Sequence, residues 1–128
     1  MSVPKDASRL LIVDDMEASR LILAQILRLH GYQVDTAEGG ASALELAREH
    51  TYHLAILDYR MPQMNGVELF EKLRQIQPDV VGIFLTGYPT VDTVYPAISS
   101  GIERVLAKPV DVEELLDVVK QMLHGAAA

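Results

Sequence analysis

Two aspartates, Asp14 and Asp15, close an apolar run, Leu10-Leu11-Ile12-Val13. Further along, Leu54 to Leu57 runs into Asp58, Ile83-Phe84-Leu85 into Thr86, and Val105-Leu106-Ala107 into Lys108. Each run ends in a group suited to phosphoryl or hard-metal chemistry. A carboxylate can attack phosphorus and hold the product as an acyl phosphate, which makes Asp58 the nucleophile candidate. Thr86 offers a hydroxyl donor, Lys108 a mobile positive charge for phosphoryl oxygens, and Gly87 room beside them. Three carboxylates drawn together repel one another. A divalent cation with all-oxygen ligation, Mg²⁺ foremost, is the simplest counter-charge. Any one of these residues alone reads as a strand-end polar side chain facing solvent; all four runs ending this way point to a site.

Such a site needs parallel strands whose carboxyl ends meet. Arg9 to Val13 carries aliphatic residues without alternation, the pattern of a strand covered on both faces. Ala18, Ile22, Ile26 and Leu29 then recur at helical spacing up to His30-Gly31, where glycine can take a left-handed cap. Gln33 to Ala37 is short and partly polar, as an edge strand would be. Ser42 to Glu49 suits a small helix with Leu44 and Ala47 inward, and Leu54 to Leu57 a second core strand. Val67, Phe70, Leu73 and Ile76 mark a helix that ends before Pro78. Val80 to Leu85 and Val105 to Ala107 supply the last strands. Asp111 and Glu114 form a capping box ahead of Val112, Leu115, Leu116, Val119 and Leu123 on one helical face. The alternation predicts a doubly wound α/β fold with a five-stranded parallel sheet and five helices; with Gln33 to Ala37 at the edge, the known flavodoxin-like order 2-1-3-4-5 is the natural choice. Ligands in such sheets bind where the winding direction switches, here between the first and third strands, with Asp15 facing Asp58.

Composition bounds the class. The 128 residues are 49% hydrophobic and 23% charged, enough for one core. The expected division is a flexible segment 1–8, a domain 9–124 and a tail 125–128. Eighteen acids against eleven bases give a net charge of -7, which argues against direct nucleic-acid or anionic-membrane partners. No apolar run is long enough to span a membrane. With no cysteine, disulfides, thiolate chemistry and sulfur-bound zinc are excluded. A cytoplasmic location is expected.

The residues Asp14-Asp15, Asp58-Tyr59-Arg60-Met61-Pro62, Asn65-Gly66, Thr86-Gly87 and Lys108-Pro109 stand in an order that resembles the two-component response-regulator receiver domains. The resemblance covers essentially the whole chain. It implies that Asp58 is the phosphoacceptor, with a sensor histidine kinase, a phosphotransfer protein or a small acyl phosphate as donor. It also implies that Asp15 and Asp58 bind Mg²⁺ directly, that Asp14 acts mostly through water, and that the backbone carbonyl of Arg60 completes the protein ligands. Lys108-Pro109 is expected to be cis. The downstream target, a separate protein or an output domain, is not named by any motif.

Two departures stand out. Receivers usually carry an aromatic ring three residues before the lysine; here that residue is Val105. Pro96 falls within Thr90 to Ser100, where a fourth helix is expected, and proline inside a helix costs about 3 kcal/mol. That helix should therefore begin near Val94 or Tyr95, after a long loop from Gly87 to Thr93. Tyr88 and Arg60 are expected to flank the mouth of the site. His30, His50, His53 and His124 lack ligand spacing, and no serine has a nucleophile's partners. An aspartyl phosphohydrolase would place an acid where Arg60 stands, so the chain reads as a non-enzyme that catalyses only its own phosphoryl uptake and loss. A phosphorylation-independent interaction module with the same fold is the alternative.

Overall fold

The computed structural model describes residues 8–87, 98, 99 and 101–124. Five strands run β1 Arg9–Val13, β2 Gln33–Ala37, β3 Leu54–Asp58, β4 Val81–Thr86 and β5 Arg104–Ala107. They form one parallel sheet in the order β2-β1-β3-β4-β5, as expected with Gln33 to Ala37 at the edge. The helices among the described residues are α1 Glu17–Leu29, α2 Gly40–Glu49, α3 Gly66–Ile76 and α4 Val112–His124. Of the stretch Thr90 to Ser100 only Ile98 and Ser99 are described, and both are helical. Pro96, Tyr88 and the expected start at Val94 or Tyr95 lie outside the described residues.

β3 is buried along its whole length, and β1 and β4 in all but their first residue, because apolar layers cover both sheet faces. One layer packs Leu23, Ala24 and Leu27 of α1 and Leu115, Val118 and Val119 of α4 against Leu10, Ile12, Ile56 and Leu85. The other packs α2 and α3, through Ala43, Leu44, Ala47, Leu69, Phe70 and Leu73, against Leu11, Val13, Leu57 and Phe84.

The helical periods are as expected, but in three helices the buried residues are not all the expected ones. In α1 the buried residues are Leu23, Ala24 and Leu27, while Ile22 is 57% and Leu29 78% exposed. Ala18 is also exposed. The helix is apolar on more than one side, so spacing identifies it without fixing which side meets the sheet. In α4 Val112 is exposed and Val118 is the buried residue the pattern passed over. In α3 Phe70 and Leu73 are buried as expected, with Leu69 taking the place assigned to Ile76.

The helix ends follow local rules. Gly31 takes φ 94° after α1, with Gly31 N–H donating to Arg28 O and Tyr32 N–H to Leu27 O. This paired pattern satisfies the last carbonyls of the helix and turns the chain into β2. Asp111 caps α4 by accepting from the Glu114 amide at 3.1 Å, and Asn65 caps α3 by accepting from the Glu68 amide at 2.9 Å.

Candidate functional site

At the carboxyl edge of the sheet the register brings the polar strand ends together. Val13 pairs with Leu57, Asp58 with Leu85, and Thr86 with Ala107. Asp14, just past β1, is 1% exposed; Asp58, the last residue of β3, is 7% exposed; Thr86, the last of β4, is 3% exposed. Asp15 is exposed and has no hydrogen-bond or ion-pair partner among the described residues. Each of the three aspartates offers a carboxylate oxygen lying within 4.8 Å of the other two.

Lys108, immediately after β5, reaches into this cluster. Its Nζ stands 3.3 Å from Asp14 Oδ2 and 3.2 Å from Asp58 Oδ1. Its backbone N–H donates to Thr86 O at 2.8 Å, which ties the lysine to the end of β4. The Lys108–Pro109 bond is cis, as expected. Arg60 is exposed in the β3–α3 loop, two residues beyond Asp58. That loop is pinned at both ends: Tyr59 N–H donates to Leu85 O and Gly66 N–H to Tyr59 O, each at 2.9 Å. A Cβ on Gly66 would stand 2.9 Å from the Asp58 carbonyl oxygen, so only glycine lets α3 begin this close to β3.

One ammonium among three carboxylates leaves excess negative charge. Burial pushes the Asp58 carboxyl up to about 6, and the neighbouring Asp14 adds to the rise against the opposing pull of Lys108. Burial works the other way on Lys108, but the attraction of Asp58 and Asp14 outweighs it and the ammonium is held above its ordinary range. The donor set is all oxygen, partly buried and under-neutralised, with one carboxylate, Asp15, uncommitted. It fits a hard divalent cation.

Two contacts here have no counterpart in the sequence reading. Asp14 Oδ1 accepts from Met16 N–H, and Asp14 O accepts from Arg20 Nη1, both at 2.9 Å. A side chain bonding a backbone carbonyl leaves no pattern of residue types; only the spacing, one turn into α1, could have suggested it. An apolar groove of about 500 Å³ also runs from Asp14 and Lys108 between Met16, Ile22, Ile26 and Val112. Val105 is half-buried against the α2/α3 layer, paired with Phe84.

The carboxylates, hydroxyl and ammonium stand beyond the carboxyl ends of the strands at the switch point of a doubly wound sheet, where such sheets bind ligands. The response regulator receiver domain model matches residues 10–120, and the chain belongs to that family. It is a phosphoacceptor signalling switch of the two-component type. The sporulation initiation phosphotransferase F of Bacillus subtilis (strain 168) is 31% identical over 115 residues, which cover 90% of this chain and 93% of that protein. The transcriptional regulatory protein ZraR of Klebsiella oxytoca is 37% identical over 106 residues, 83% of this chain but 24% of the regulator. The chain thus spans about a quarter of one such relative and nearly all of the other. Among solved structures, a response regulator of Burkholderia pseudomallei with a phosphorylated aspartic acid, calcium ion and citrate superposes with a TM-score of 0.81. It is 32% identical, over 91% of this chain and 66% of that one. No helix among the described residues is long and apolar enough to cross a membrane.

Proposed function

We propose that Asp58 is the phosphoacceptor. The observation that carries this reading is the meeting of Asp14, Asp15 and Asp58 within 4.8 Å, with Lys108 Nζ bridging two of them. An Asp58 carboxylate oxygen attacks the phosphorus of the donor. The bond from phosphorus to the donor's imidazole nitrogen or acyl oxygen breaks, and the leaving group keeps the electron pair. Lys108 then shifts its ammonium from the carboxylates to the phosphoryl oxygens, and the Thr86 hydroxyl donates a hydrogen bond to the same group. Asp15 and Asp58, with Asp14 acting mostly through water and the Arg60 carbonyl, would hold Mg²⁺, which when bound neutralises charge on the carboxylates and the transferring phosphoryl group. Water later attacks the phosphorus, the bond from Asp58 oxygen to phosphorus breaks, and inorganic phosphate leaves as the carboxylate is restored, so the domain turns over nothing but its own phosphoryl group.

The donor is a sensor histidine kinase or a phosphotransfer protein, with small acyl phosphates as substitutes. The apolar groove that starts at Asp14 and Lys108 supports a protein donor, since Met16 and Ile22 are each more than half exposed along it. The receiving partner, a separate protein or an output domain, reads the change in surface, and a cytoplasmic setting suits the charge and the absence of cysteine.

Intact-mass measurement after acyl-phosphate treatment tests the assignment. A phosphoryl adduct should form with Mg²⁺, vanish with EDTA and be absent in Asp58→Asn. Undiminished labelling of Asp58→Asn would sink it. Val105, with no ring to relocate, favours the phosphorylation-independent interaction module as the second reading. A parent that takes up no phosphoryl group would leave that reading standing.

A further inference from the structure

The loop between β1 and α1 is held on both sides of Asp15 by hydrogen bonds. Asp14 N–H donates to Ala37 O at 3.2 Å, and Asp14 Oδ1 accepts from Met16 N–H at 2.9 Å. Asp14 Oδ2 takes the Lys108 ammonium at 3.3 Å, and Arg20 N–H donates to Met16 O at 3.0 Å. The remaining bond is Arg20 Nη1 to Asp14 O at 2.9 Å. A turn into α1, the guanidinium reaches back to the peptide that joins Asp14 to Asp15. Both neighbours of Asp15 are therefore fixed, while the Asp15 carboxylate itself is left without a partner among the described residues.

We infer that Arg20 is a positioning residue for the divalent-cation site: by holding the Asp14–Asp15 peptide it keeps the Asp15 carboxylate facing Asp58. The inference rests on the cation reading above and adds a residue that takes no part in ligation. A ligand oxygen held by a fixed backbone loses little freedom when it binds, and groups that orient ligands from behind are each worth about 10- to 100-fold in metal affinity.

Charge and geometry make opposite demands here. A guanidinium near a cation site disfavours the cation, so charge alone predicts tighter binding when Arg20 is removed. Arg20 is half-exposed and its charge is screened by solvent, whereas the carbonyl it holds belongs to a residue 1% exposed. Geometry should win.

The other end of α1 supplies the control. Arg28 Nη2 donates to Val34 O at 2.6 Å, the same guanidinium-to-carbonyl tether placed where the helix meets β2, at the opposite end of the strands. Mg²⁺ should be titrated by calorimetry into parent, Arg20→Met, Arg20→Lys and Arg28→Met, all at a temperature well below their melting transitions. Arg20→Met should weaken Mg²⁺ about tenfold. Arg20→Lys should recover part of the loss, and Arg28→Met should bind as the parent does although it melts lower. Unchanged or tighter binding by Arg20→Met would overturn the inference, and so would an equal loss in Arg28→Met, which would make the effect one of general stability. A parent that shows no Mg²⁺ titration would overturn the cation reading itself and the role of Arg20 with it.

Discussion

Asp35 and Asp58 are carboxylates on two strands of one sheet, separated by β1, and their surroundings push them in opposite directions. Asp35, on the edge strand, accepts from Arg9 Nη1 at 2.9 Å and from the Tyr52 hydroxyl at 2.6 Å. Burial alone would raise its pKa, but the hydrogen bonds from Tyr52 and Arg9 outweigh it and hold the carboxyl below its ordinary range. The same contact, added to burial, pushes the Tyr52 phenol well above its own. Gln77 locks the surrounding loop, accepting from Tyr52 N–H and donating to Ala47 O and His50 O, each at 2.7 Å. Asp35, Tyr52 and Gln77 each have hydrogen-bond partners there. Asp58 shares a single ammonium with Asp14 and is raised to about 6. One cluster serves the fold; the other, with one ammonium against three carboxylates among the described residues, carries negative charge that an incoming cation would balance.

If that contrast is right, removing the two carboxylates should have opposite signs. A carboxylate whose folded pKa is raised stabilises the fold fully below its unfolded value and loses that contribution as pH rises through the folded value. Moving Asp58 from 3.8 to about 6 makes its ionisation cost on the order of 2–3 kcal/mol at neutral pH. Metal-free Asp58→Asn should therefore be more stable than the parent by about that amount at pH 7.5 in urea titration, with the gap closing towards pH 4. Mg²⁺ should raise the melting temperature of the parent more than that of Asp58→Asn, because the ligand stabilises only a native state that binds it. A metal-free Asp58→Asn that unfolds more readily than the parent would mean that Lys108 already balances the site. Asp35→Ala should do the reverse and cost about 2 kcal/mol at pH 7, since it strips Arg9 and Tyr52 of a charged partner. An unchanged urea midpoint would show the Arg9–Asp35–Tyr52 cluster to be no more than a surface pair.

The two clusters also differ in how far they can be read without a structure. Asp14, Asp15, Asp58, Thr86 and Lys108 each end a short apolar run, and parallel strands covered on both faces must align such ends. The sheet order and the convergence were legible for that reason. Asp35, Tyr52 and Gln77 sit among mixed residues with no repeated punctuation, and their partners lie 17 and 25 residues away. Nothing local joins them. Helical phase was lost for a related reason: α1 has Ile22 and Leu29 on one side and Leu23 and Leu27 on another, and period alone does not choose between them. Arg20 was passed over because its partner is a backbone carbonyl, which every residue possesses.

The smallest expected effect is the most discriminating. Tyr52→Phe keeps the buried ring and removes one hydroxyl, leaving Asp35 its ion pair with Arg9 at 2.9 Å. The loss should be about 1 kcal/mol at pH 7, at the low end for a hydrogen bond to a charged group because Arg9 remains. Its pH dependence follows from Asp35. A carboxylate with a lowered folded pKa stabilises the fold above its unfolded value, near 3.8, and that contribution fades as pH falls through the folded value. Once Asp35 is protonated, Tyr52 bonds only a neutral carboxyl, and the cost of losing the hydroxyl should shrink to about half. Urea titrations of parent and Tyr52→Phe at pH 7 and at a pH below the folded value of Asp35, located by titrating that carboxyl in the parent, measure this directly. An equal cost at both values would mean that the phenol acts on the fold as a neutral hydrogen bond and does not hold the charge of Asp35, which would remove half of the contrast with Asp58.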